Sequence, residues 1–170
     1  MMRASCYDDQ YCDISPDGKR IAFARTENKI TRIYVGMLES GQASRLTEAP
    51  STLPRWSPDG QWIAFSPSRG YLDGIFTASP DGKGIRQVSL TGGWPVWWPG
   101  GRQIGCQNPG KDGSDEICTV PVKGGPGRVS TLIRIGGTNH PFDVSPDGKQ
   151  VAIGTSIGIS SDIWLLEPQP

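Results

Sequence analysis

The sequence predicts an all-β fold, a β-propeller of four four-stranded antiparallel blades, on three observations. A Ser-Pro-Asp-Gly turn recurs at a nearly constant interval. Each copy is followed by the same succession of short β-type segments. Helix breakers are abundant: the 170 residues include 23 Gly and 15 Pro, as many tight turns between short strands require. No capped apolar stretch with a 3.6-residue period reaches helical length, so no helix is expected. A chain of this size buries about 70% of its unfolded surface, enough for one domain or a short repeat array.

The turns serve as a ruler. Ser15-Pro16-Asp17-Gly18, Ser57-Pro58-Asp59-Gly60 and Ser145-Pro146-Asp147-Gly148 are identical, and Trp98-Pro99-Gly100-Gly101 is a degenerate copy. The intervals of 42, 41 and 47 residues match the ~40–45 of propeller blades. Proline presets φ at the second turn position, the Asp carboxylate bonds nearby backbone N–H groups, and glycine accepts the left-handed conformation that closes the hairpin. Asp17, Asp59 and Asp147 are therefore read as turn formers and not as a metal cluster.

Each turn leads into a second strand: Ile21-Ala22-Phe23, Ile63-Ala64-Phe65, Ile104-Gly105-Cys106 and Val151-Ala152-Ile153. A third follows at Ile33-Tyr34-Val35, Ile75-Phe76-Thr77, Ile117-Cys118-Thr119 and Ile163-Trp164-Leu165. A short fourth comes after a turn, at Arg45-Leu46-Thr47, Gln87-Val88-Ser89 and Arg128-Val129-Ser130. With the strand before each turn (Pro54-Arg55-Trp56, Pro95-Val96-Trp97), the unit is a blade and not half of a sandwich. The expected blades are 13–47, 54–89, 95–130 and 141–167.

The last blade stops before a fourth strand, which would leave an open sheet edge. Arg3-Ala4-Ser5 carries the pattern of Arg128-Val129-Ser130, and Ser5 precedes Ser15 by the same ten residues as Thr47 precedes Ser57. Residues 2–6 are thus expected to complete blade 4. Three arrangements satisfy this order: a closed four-bladed monomer, a homodimer whose two arcs complete an eight-bladed ring, or a part of a longer chain.

The pattern Pro-x-Trp-Ser-Pro-Asp-Gly-x-x-Ile-Ala-Phe, whole at Pro54 to Phe65, resembles the repeat of the TolB-type propellers. The resemblance runs from residue 3 to 167. TolB is a periplasmic protein of the Gram-negative envelope, and similar repeats occur in propeller domains of prolyl-oligopeptidase-like enzymes and in some polysaccharide lyases. Such a repeat specifies a fold and not a function. With a complete repeat array and nothing catalytic beside it, the preferred expectation is a non-enzymatic TolB-like scaffold that binds a protein or peptide partner at its loop face or central channel. The alternative is a carbohydrate-binding propeller, or the remnant of a lyase or peptidase propeller.

Charge narrows the partners. The 17 basic and 17 acidic residues balance to zero, so there is no general attraction for nucleic acid or anionic membrane. No segment approaches the ~18 consecutive apolar residues of a membrane-crossing helix, and Met1 to Cys12 lacks the apolar core of a signal peptide. The expected location is periplasmic or extracellular with the leader absent from this chain, the cytoplasm remaining open.

Four cysteines bear on that point. Cys106 stands where the other blades have Phe23, Phe65 and Ile153, and Cys118 where they have Tyr34, Phe76 and Trp164. The paired loss of bulk on facing strands predicts a cross-strand disulfide; two buried thiols packing as small apolar groups are the alternative. Cys6 and Cys12 could close a second, smaller loop. Disulfides would place the protein outside the cytoplasm. No metal-ligand spacing is present, and no cofactor is expected.

Candidate chemistry is sparse. Gly154-Thr155-Ser156-Ile157-Gly158 matches the G-x-S-x-G nucleophile elbow but leaves a strand with no helix after it. His140, the single histidine, has no partner cluster for catalysis. Asn108 to Glu116 faintly resembles a calcium loop without its alternating acidic spacing. No catalytic residue is assigned. Loops entering the first strand and loops between the second and third share one face, which collects Arg69, Tyr71, Trp94, Asn139 and His140. Trp, Tyr and Arg anchor peptide and glycan contacts, so these five are the expected partner-binding residues, with packing between blades the other reading of Trp94. Trp62, on the otherwise polar side of its strand, either packs against a neighbouring blade or marks a partner surface.

Overall fold

The computed structural model describes residues 11–67, 73–110, 114–123, 130–135, 141–157 and 160–166. Every helix or strand element among them is a β-strand. Blade 1 consists of β1 (Cys12–Ile14), β2 (Arg20–Glu27), β3 (Ile30–Met37) and β4 (Ala43–Arg45). Blade 2 consists of β5 (Ser51–Trp56), β6 (Ile63–Pro67), β7 (Ile75–Ala78) and β8 (Arg86–Ser89). Blade 3 consists of β9 (Gly93–Trp97), β10 (Gln103–Pro109), β11 (Asp115–Pro121) and β12 (Ser130–Ile135). β13 (Phe142–Val144), β14 (Val151–Ile157) and β15 (Ser160–Leu166) form a three-stranded fourth sheet. All pairings are between sequence neighbours and antiparallel.

Two differences from expectation have physical reasons. A closed four-bladed ring, one of the three arrangements the sequence allows, is not formed among the described residues: β15 is an edge of its sheet, and no strand pairs blade 4 with blade 1. Residues 2–6, expected to supply the missing strand, lie outside the described residues. In blade 3 the described fourth strand is Ser130–Ile135, beyond the expected end of the blade at residue 130, and Arg128 and Val129 lie outside the described residues. The segment Thr131-Leu132-Ile133-Arg134-Ile135, with β-branched Thr131, Ile133 and Ile135 in alternation, is a good strand former, and it reaches along β11 as far as Asp115. The long 47-residue interval of the turn repeat accommodates this longer strand.

The turn chemistry is repeated atom for atom. Ser15 Oγ donates to Asp17 Oδ1 at 2.5 Å, the Lys19 N–H donates to the same oxygen at 3.0 Å, and the Arg20 N–H donates to Ser15 Oγ at 2.9 Å. Ser57–Asp59 (2.5 Å) and Ser145–Asp147 (2.6 Å) build the same cage. These bonds favour the ionised carboxylate and hold Asp17, Asp59 and Asp147 below the ordinary aspartate pKa, with the serine bond the largest cause. The Trp98 turn keeps only backbone bonds, Gly101 N–H to Trp98 C=O at 3.0 Å and Trp98 N–H to Gln103 C=O at 2.9 Å. A further Ser-Pro-Asp-Gly, Ser79–Gly82, builds the turn between β7 and β8 with the same serine–aspartate bond, and Asp81 is lowered to about 2. It falls between ruler marks, so the interval did not reveal it.

Alternation along each strand gives a blade two apolar faces. Ala22, Ile33, Val35 and Leu46 of blade 1 pack on Trp56, Ile63, Phe65 and Ala78 of blade 2. Ala64, Ile75 and Val88 on the other face of blade 2 pack on Trp97, Ile104, Cys106, Cys118 and Val120 of blade 3. Val96 and Ile117 then meet Phe142, Val151 and Ile153 of blade 4. The core is therefore a stack of inter-blade layers and not one central cluster. The turns stack as well: a Cβ added at Gly60 would lie 3.7 Å from Pro16, and one at Gly101 3.8 Å from Pro58.

Candidate functional site at the inner strands

The first strands of successive blades lie against one another, β1 beside β5, β5 beside β9 and β9 beside β13. They form the inner rim, and those of blades 1, 2 and 3 enter it through the same irregularity. Tyr11 (φ 73°), Leu53 (φ 57°) and Trp94 (φ 54°) all adopt left-handed backbone, and each stands two residues before Asp13, Arg55 and Val96 respectively. Pairing slips at this point between Thr52 and Arg55 and between Gly93 and Val96. A bulky residue at positive φ is strained, and Leu53 and Trp94 also precede proline, which disfavours helical-type backbone further. Bulges of this kind re-aim a side chain. In blade 4 the matching residue is Pro141, whose ring forbids positive φ.

One consequence is a contact that spacing alone could not reveal. The Tyr11 and Trp94 rings meet edge to face, centroids 5.7 Å apart and planes at 84°. Trp94 is half-buried and packs against the layer between blades 3 and 4, while Tyr11 is exposed. Beyond the aromatics lie charges. Asp13 is half-buried and accepts the Trp56 backbone N–H at 2.7 Å, which clasps blade 1 to blade 2. Burial raises its pKa, the Trp56 bond and the Arg55 charge oppose the rise, and the Asp143 charge adds to it. Arg55 and Asp143 occupy the equivalent register positions of their blades, opposite Ala64 and Ala152, and both are exposed. Trp97 Nε1–H donates to the Arg55 carbonyl oxygen at 2.9 Å and repeats the clasp between blades 2 and 3.

Of the five expected partner-binding residues, Trp94 stands at this rim. Arg69, Tyr71, Asn139 and His140 lie outside the described residues. Sequence reasoning missed Tyr11, Asp13, Arg55 and Asp143; for the last three the signal available was their shared register before the turn, polar in three blades and apolar at Val96 in one. Trp62 packs against the layer between blades 2 and 3 with the Arg86 guanidinium 5.3 Å from its ring. Glu116 pairs with Arg134 at 3.0 Å, and the buried Asp115 accepts a bond from the buried Gln107 amide. Those partners already occupy two carboxylates of the calcium-like segment. Gly154 to Ile157 of the Gly154 motif lie on β14, which pairs with both β13 and β15, and Gly158 lies outside the described residues. Cys106 and Cys118 are directly opposed and fully buried, with their sulfurs not bonded to each other. On the opposite, turn-bearing face a cleft of about 380 Å³ opens between blades 1 and 2, lined by Arg20, Met37, Gln42 and Asp81 among others.

The rim offers carboxylates, a guanidinium and aromatic edges, a set suited to a polar peptide or a hydroxyl-rich ligand. Residues 12–168 match the TolB β-propeller domain family. An uncharacterised protein of Agrobacterium fabrum is 30% identical over 151 residues, 81% of this chain and 52% of that protein. The Tol-Pal system protein TolB of Syntrophus aciditrophicus is 32% identical over 75 residues, 41% of this chain and 17% of that one. The crystal structure of TolB from Acinetobacter baumannii superposes with a TM-score of 0.78 at 20% identity, covering 91% of this chain and 39% of that one. An oligogalacturonate lyase in complex with manganese gives 0.72 at 15% identity, covering 93% and 49%. The chain thus spans about half the length, or less, of the proteins it matches.

Proposed function

The chain belongs to the TolB β-propeller domain family, and from that premise we propose that it is a non-enzymatic scaffold binding a protein or peptide partner at the inner rim. The observation that carries the reading is the convergence there of Asp13, Arg55 and Asp143 with the Tyr11–Trp94 contact. An extended peptide presents alternating charges and apolar side chains, which such a rim can take up with little rearrangement. Arg69, Tyr71, Asn139 and His140, outside the described residues, remain expected partner contacts from the sequence alone. A periplasmic or extracellular location goes with it, as does the homodimer that would complete an eight-bladed ring, for which native mass is the test.

The binding reading is tested by affinity capture from envelope extract with wild type, Arg55→Glu and Trp94→Ala, followed by titration of the captured protein in purified form. A partner bound by wild type and weakened at least ~10-fold by each variant is the expected result, since central aromatic and Arg contacts carry ≥ ~1.4 kcal/mol. Equal binding by all three chains would remove the rim from the account. Capture of a soluble glycan in place of a protein, lost on Trp94→Ala, would favour the carbohydrate reading instead.

A further inference from the structure

Blade 3 breaks the repeat at one pair of positions. In blade 1 Phe23 faces Tyr34 across β2 and β3, ring centroids 5.8 Å apart, and in blade 2 Phe65 faces Phe76 at 5.9 Å. The matching pair in blade 3 is Cys106 and Cys118. Both are fully buried, in the layer packed against Ala64, Ile75 and Val88 of blade 2. Their side chains are hydrogen-bonded to each other, and Cys118 Sγ also donates to the Glu116 carbonyl oxygen at 3.4 Å.

We propose that Cys106 and Cys118 become a cross-strand disulfide when the chain folds in an oxidising compartment, and that the packing of blade 2 on blade 3 then locks the redox state reached. Directly opposed residues of antiparallel strands hold their Cβ atoms about 4.5–5.5 Å apart. A disulfide spans about 3.5–4.5 Å, so the bond needs a small approach of the two strands and no change of register. It would put a covalent link where blades 1 and 2 have stacked rings.

The chemistry is thiol–disulfide exchange with an oxidoreductase disulfide or a low-molecular-weight disulfide as oxidant. The thiolate of one cysteine attacks the oxidant's S–S bond and displaces one of its sulfurs. The second cysteine's thiolate then attacks the mixed disulfide and displaces the other. One S–S bond forms and one breaks; two protons leave the cysteines, and two electrons reduce the oxidant to two thiols. After folding, the sulfurs are sealed from any oxidant. The hydrogen bond with Cys118, together with burial, also pushes the Cys106 thiol far up, so the thiolate that exchange requires is scarce. Which state occurs in the cell rests on the periplasmic or extracellular reading; the capacity of the pair does not.

The experiment uses a Cys6→Ser/Cys12→Ser background, so that this pair alone is read. The chain is produced once with export to an oxidising compartment and once in a reducing cytoplasm, then quenched in acid, unfolded and alkylated. Exported material is expected to take up no alkyl groups, to yield a peptide joining β10 to β11, and to melt roughly 5–10 °C higher. Cytoplasmic material is expected to take up two. Folded, reduced protein in oxidised glutathione should oxidise at least about 100-fold more slowly than the same chain in urea. Two alkylated cysteines in exported, folded protein would overturn the disulfide, and equally fast oxidation of folded and unfolded chains would overturn the lock. If the export fusion does not fold, refolding the same chain from urea in a glutathione buffer supplies the same readouts.

Discussion

Asp13 shows how one carboxyl joins stability to pH. Because burial raises its pKa in the folded state, the native protein holds this proton more tightly than the unfolded chain does. Above the folded value the ionised group costs stability, and the cost disappears as pH falls toward the ordinary 3.8. Asp13→Asn keeps an acceptor for the Trp56 N–H and discards the charge. Its melting temperature at pH 7 should therefore equal or exceed that of wild type, with any excess gone by about pH 4. Asp13→Ala leaves a buried N–H unpaired and should cost ~1–3 kcal/mol in urea unfolding; parity of the two variants would argue against the clasp. The turn carboxylates have the opposite sign. Their lowered values contribute stability that is present above 3.8 and lost as pH falls through the folded value, about 2 for Asp81.

At the scale of the element, the Ser-Pro-Asp-Gly turn forms wherever its four residues occur, between first and second strands and equally between β7 and β8, because its bonds are all local. Glycines separate two kinds of constraint. At Gly18 (φ 67°) an added Cβ meets nothing within 4 Å, so Gly18→Ala should cost only the left-handed backbone term of ~1–2 kcal/mol. Gly74 (φ 96°) begins the β7 hairpin, and a Cβ there would lie 2.2 Å from the Ser89 carbonyl oxygen. Gly74→Ala must therefore open the β7–β8 pairing and should cost more than about 2 kcal/mol. Urea titration of both variants checks this, and equal losses would refute the steric part. The second strands, the turns and the alternation of faces could be read from sequence, since each depends on neighbours within a few residues. The left-handed entries at Leu53 and Trp94 could not, since local preference opposes them.

Over the whole molecule, stability is a sum of blades and the layers between them, as in other repeat arrays. Blade 2 is the blade whose two faces both pack on described neighbours through the largest clusters. Amide exchange should therefore be slowest in β6 and β7 and should quicken toward β13 and β14, spanning a range of a few kcal/mol. Uniform protection across all four sheets would mean the array opens as one unit. The family match is also a whole-molecule property: it rests on the repeat over residues 12–168, while the rim that carries the functional proposal is absent from the repeat pattern.

The sequence by itself determined the all-β class, the blade order, the turn chemistry and the facing positions of Cys106 and Cys118, because a repeat with fixed spacing lets each copy be aligned on the others. Only the tertiary structure decided that Asp13 clasps Trp56, 43 residues away, that Tyr11 meets Trp94, and that the opposed cysteines are sealed beneath blade 2. Those contacts depend on how one blade is placed beside the next. That placement is set by the summed packing of apolar layers, which no single motif encodes.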